Sequence, residues 1–125
     1  MGSLTPSKSE SASVLAAYQL RLNSPDILPQ GGLRRNTGDY VLISYINNIT
    51  GLLLSGNTNA VPLFISRAAD HMQSNPPTPG SKPYYDLAYR YLCHVAYHVT
   101  NVEKVKSTGV EIPAQIAAAG PQRDP

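Results

Sequence analysis

Residues 39–56, DYVLISYINNITGLLLSG, decide the fold, because two readings of them lead to different classes of protein. As a helix the stretch lines up Leu42, Ile46, Ile49 and Leu53 on one stripe, with Tyr45 and Leu52 widening it. Asp39 stands where an N-cap is wanted, and Gly56 where a helix closes in the left-handed conformation. As a hairpin, two arms carrying Val41, Ile43, Ile46 and Ile49 meet at Asn47-Asn48. The helix has the better ends and the better length, and it makes the chain all-α. The hairpin at 40–54 is the alternative, and it makes the chain α+β.

Outward from this stretch the pattern is helical on both sides. Upstream, Ser7-Lys8-Ser9-Glu10 has the spacing of a capping box, and Val14, Leu15, Tyr18 and Leu22 share one face of a helix to about Leu22. Residues 23–38 form a long connection punctuated by Pro25, Pro29, Gly31, Gly32 and Gly38, from which Ile27, Leu28 and Leu33 reach the core. Downstream, Asn59 is placed to cap a third helix with Pro62 in its first turn, where a missing N–H does no harm. Val61, Phe64, Ile65, Ala68 and Met72 give that helix its stripe, and it ends near Ser74. A Pro-rich loop over 75–80 leads to a fourth helix capped by Ser81. Its period, carried by Tyr84, Ala88, Tyr91, Leu92, Val95, Val99 and Val102, runs to about Lys104. Residues 113–119 can add a short fifth helix. The expected architecture is a compact bundle or orthogonal array of four main helices. A single helical domain covers 10–119, preceded by a mobile segment at 1–9 and followed by a polar tail at 120–125.

Composition narrows the function classes. Only 14% of the 125 residues are charged, against roughly 25% in ordinary soluble domains. The net charge of +2 is too small to argue for nucleic acid or an anionic membrane. One cysteine, Cys93, excludes an intramolecular disulfide. The N-terminus has no signal-peptide pattern, and Met1-Gly2 lacks the downstream Ser or Thr of a myristoylation site, since Pro6 stands there. The uncharged stretch Tyr40 to Ser66 contains Asn47, Asn48, Gly51, Gly56, Asn57, Asn59 and Pro62, which a membrane-spanning helix would not carry. An intracellular protein, cytoplasmic or packaged in a virion, is expected.

Residues that suggest chemistry fail on spacing. His94 and His98, at i and i+4 on a helix, are the one pair suited to a metal, but no third ligand has a diagnostic position. They are expected on the solvent face instead. Adjacent residues on a helix point about 100° apart, so His94 does not serve Cys93 as a base, and Cys93 reads as a small buried hydrophobe. The run Gln30-Gly31-Gly32-Leu33-Arg34-Arg35 has neither GxxxxGK[ST] nor GxGxxG spacing. No catalytic residue, cofactor or enzymatic activity is expected.

Two non-enzymatic readings remain. In the first, the chain is a structural or assembly subunit, of the kind found in viral coats, nucleocapsids or nucleoprotein complexes. It would contact copies of itself or a larger complex through Tyr40, Ser44, Asn47 and Gly51 of helix two and Tyr85 and Tyr89 of helix four. These residues are small, aromatic or uncharged, and tyrosine is enriched at interface cores. In the second, it binds RNA or DNA. Arg34 and Arg35 of the Gly-rich loop would meet phosphates, and Tyr85, Tyr89 and Tyr97 of helix four, with Arg90, would stack on unpaired bases.

Overall fold

The computed structural model describes residues 8–29, 37–99 and 112–119. Among them the chain is helical without a strand, and the hairpin alternative falls away. Helix α1 spans Lys8–Leu22, α2 Thr37–Leu54, α3 Val61–Ser74, α4 Lys82–His94 and the short α5 Ala114–Ala119. A 3-10 turn, Thr58–Ala60, leads into α3, and α4 continues into a π-helical segment, Val95–Val99.

Helix α2 forms because its apolar positions recur at helical and not at strand spacing. Leu42, Ile46 and Ile49 are fully buried and Leu53 partly so, packed chiefly against α3. Each such side chain contributes about 1.5–3 kcal/mol relative to leaving it in water. The helix stops where a glycine was expected to stop it. Gly56 adopts φ 77°, its N–H donates to the Leu53 carbonyl, and the Asn57 N–H donates to the Leu52 carbonyl at 2.8 Å. This double closure is a Schellman cap, which needs the left-handed residue that glycine supplies without strain.

Three caps differ from expectation. Asp39 is inside the first turn of α2 and not ahead of it, because the helix begins two residues earlier, at Thr37. Asn59 is absorbed in the 3-10 turn, and Ala60 holds the N-cap position of α3 with no side-chain cap, next to a proline in the first turn. Ser81 does stand at the N-cap of α4, but its hydroxyl leaves the helix and donates to Asp39 Oδ2 at 2.7 Å. That bond joins the starts of α2 and α4, two elements 42 residues apart in sequence.

Helix α4 is the centre of the bundle. α1, α3 and α5 all pack on it, and buried residues cover most of its circumference: Tyr84, Tyr85, Leu87, Ala88, Tyr91, Leu92, Cys93 and His94. Tyr18 of α1 is fully buried against it, its ring 6.0 Å from Tyr91 and 5.7 Å from His94, with the Arg90 guanidinium 5.9 Å above it. The Tyr91 hydroxyl lies 2.9 Å from Thr50 Oγ1 and accepts from Gln19 Nε2 at 3.3 Å, so one phenol links α1, α2 and α4.

A second polar tie joins α2 to α3. His71 Nε2 lies 2.8 Å from the Gly38 carbonyl, and Asn75 Nδ2 lies 3.2 Å from His71 Nδ1. A carbonyl only accepts, so Nε2 carries the proton and Nδ1 accepts from the amide. After α1, Pro25 prevents continuation, and a turn built on the Ser24 carbonyl receives the Ile27 and Leu28 N–H groups. Ile27 and Leu28 then pack on the core as expected. Leu33 and the segments 1–7 and 120–125 lie outside the described residues.

Candidate interaction face

With Leu42, Ile46 and Ile49 turned inward, the opposite side of α2 faces solvent. Tyr40, Ser44, Asn47 and Gly51 are all exposed there, at the successive spacings of 4, 3 and 4 residues that keep a stripe on one side of a helix. Leu54 extends the stripe by another turn and is 76% exposed, while Tyr40 at the other end is 50% exposed. Asn48 is exposed beside Asn47. No residue from Tyr40 to Ser66 carries a charge, so the face offers no ion for water to hold in place. Leu54 was not singled out from sequence, although its position fourteen residues after Tyr40 places it on the same stripe.

Gly51 is not required by the packing of its own chain. A Cβ built there meets nothing within 4 Å, and the residue sits within α2 with no positive φ. In such a position glycine is less favourable than alanine by roughly 0.5–1 kcal/mol. Gly56 also has open space around a built Cβ, but its φ of 77° gives it a backbone reason to be glycine.

On α4 the expectations divide. Tyr85 was expected at an interface and is instead 4% exposed. The cause is that α4 is covered on most sides, so a tyrosine away from the main stripe is still inside. Tyr89 is half-buried, and its hydroxyl donates to the Gln115 carbonyl at 3.2 Å, which fastens α5. Tyr97 is 42% exposed. Arg90, half-buried, is engaged with the Tyr18 ring. Arg34 and Arg35 fall outside the described residues.

His94 is not on the solvent face. It is fully buried with its ring tilted against Tyr18, which takes it away from any surface metal site. The π segment begins at the next residue, Val95. The His98 side chain is outside the described residues. Among the described residues no three His, Cys, Asp or Glu gather where they could hold a metal ion. Sequence offered one sign of this burial, the absence of any charged residue from Tyr91 to Asn101.

Cys93 is buried, and that burial pushes its thiol up to about 11, against a hydrogen bond with Tyr89 that works in the opposite direction. A thiol held protonated is a poor nucleophile at neutral pH. Among the described residues no helix is long and apolar enough to cross a membrane. No family model, curated protein or solved structure matches the chain.

Proposed function

We propose that this protein is a non-enzymatic assembly subunit that works through protein–protein contacts, in the manner of a small helical subunit of a coat, nucleocapsid or nucleoprotein complex. The observation that carries this reading is the exposed, uncharged stripe of α2 from Tyr40 to Leu54. Desolvating such a face removes no ion from water, and its small residues let another surface approach closely. The low overall charge of the chain acts in the same direction, since it weakens repulsion between molecules.

The test is molar mass by light scattering during size-exclusion chromatography, at low and high salt, with absorbance at 260 and 280 nm. A mass well above 13.5 kDa without excess absorbance at 260 nm is expected. Ser44→Glu, at an exposed position, should bring the mass down while circular dichroism stays helical. If the assembled mass is indifferent to Ser44→Glu, this reading fails. Excess 260 nm absorbance that disappears with salt would replace it with a nucleic-acid partner.

A further inference from the structure

We infer that the α2 stripe is an antiparallel two-fold contact in which a second copy of the same chain is the occupant. This rests on the assembly reading above and adds the partner and its orientation. Five positions carry the argument. Tyr40 and Leu54 are large and exposed at the two ends, Ser44 and Gly51 are small, and Asn47 stands in the middle with Asn48 beside it. From either end the order is large, small, amide, small, large.

A two-fold interface must be complementary to itself, because each patch meets its own copy. When two such helices run antiparallel with the axis at Asn47 and Asn48, every position finds a suitable neighbour. Tyr40 lies over the copy's Leu54, and Ser44 lies over its Gly51. The carboxamides at the centre face each other, and each has both N–H donors and an oxygen acceptor, so like can pair with like. A parallel pairing instead sets Tyr40 against Tyr40 and leaves Gly51 against Gly51 as a gap.

Charge points to the same occupant. The stripe has no Asp, Glu, Lys or Arg, so a copy meets no like charge, whereas a nucleic acid or an acidic or basic peptide finds no counter-charge there. Gly51 fits as well: its own chain leaves the space beside it open, and a serine from the copy fills it. The stripe is short. Fifteen residues extend about 21 Å along a helix about 10 Å across, so the buried area falls below the roughly 1,200–2,000 Å² of standard interfaces and the contact is weak and concentration-dependent.

Disulfide trapping tests the orientation. Single cysteines are placed by Asn47→Cys, Ser44→Cys and Gly51→Cys, with wild-type protein, whose Cys93 is buried, as the background control. Asn47→Cys should cross-link to itself under mild oxidation. Ser44→Cys and Gly51→Cys should cross-link when mixed, and neither alone, since each then lies about 10 Å along the axis from its own copy and a disulfide spans less than ~7 Å between Cα atoms. Gly51→Ala supplies a variant that folds: it should raise the melting temperature of dilute protein yet weaken self-association about tenfold. Self-linking of Ser44→Cys and of Gly51→Cys would establish a parallel pair and overturn the proposal. An assembled mass sensitive to Ser44→Glu without cross-linking at Asn47→Cys would also overturn it, leaving the assembly reading intact with another partner. A monomer at every concentration, without cross-links, rejects the second copy outright.

Discussion

Ser81 Oγ and Asp39 Oδ2 are hydrogen-bonded at 2.7 Å inside the protein, although 42 residues separate them and each was expected to cap its own helix. Ser81 also lies 2.9 Å from Thr78 Oγ1, so the loop before α4 shares the contact. The carboxylate sits in the first turn of α2, where the helix dipole favours a negative charge. Ser81→Ala removes the hydrogen bond that the buried Asp39 Oδ2 accepts and should cost about 1–3 kcal/mol. Urea denaturation followed by circular dichroism measures it. A loss no larger than that of an exposed Ser74→Ala control would mean that the bond contributes nothing.

Tyr91 offers a cleaner separation of packing from hydrogen bonding. Tyr91→Phe keeps the ring against Tyr18 but removes the hydroxyl shared by Thr50 and Gln19. The expected loss is about 1 kcal/mol, whereas Tyr91→Ala should lose about 3–5 kcal/mol through the cavity it leaves. In a double-mutant cycle with Thr50→Val, the two substitutions should be less than additive, because both delete the same bond.

The two glycines near the end of α2 should respond oppositely to alanine. Gly56→Ala forces a left-handed backbone on a residue with a Cβ and should destabilise by about 1–2 kcal/mol. Gly51→Ala, in open space within the helix, should stabilise the isolated monomer by about 0.5–1 kcal/mol. Thermal melts of dilute protein decide both signs.

Cys93 sets an alkaline limit. Its folded pKa is raised from the ordinary value of 9.0 to about 11, chiefly by burial. The associated stability is therefore complete below pH 9 and is lost as pH rises through about 11, because the unfolded chain releases the proton first. Tyr84 and Tyr91 are raised in the same direction, also chiefly by burial, and add to the loss at higher pH. Melting temperatures from pH 8 to 11 should fall less steeply in Cys93→Ala than in wild type. At pH 8 a thiol reagent such as dithionitrobenzoate should leave native Cys93 unmodified until urea is added.

Periodicity made most of the helical architecture legible before any coordinates. The buried Leu42, Ile46 and Ile49 and the exposed Tyr40, Ser44, Asn47 and Gly51 are the two sides of one 3.6-residue pattern, so reading either gives the other. Gly56 was legible because only one common helix ending needs a glycine there. The contacts of the polar residues were not. Ser81, Asp39 and His71 make hydrogen bonds across helices, and a single chain read locally offers each of them a nearer partner. Tyr85 and His94 were misjudged for a related reason: a one-sided stripe describes a helix at the surface, and α4 has neighbours on several sides.

The π-helical segment Val95–Val99 changes the helical phase at the end of α4. A π turn accommodates one more residue than the α-helical path it replaces, so the segment behaves as a one-residue insertion absorbed without a break. Deleting a single residue there would restore the α-helical phase and rotate whatever follows by about 100°, while α1, α2 and α3 keep their places. The buried Val95 and Ala96 hold this phase shift within the core. The phase in which the helix passes from Lys82–His94 into Val95–Val99 is thus set by a count of residues at one turn.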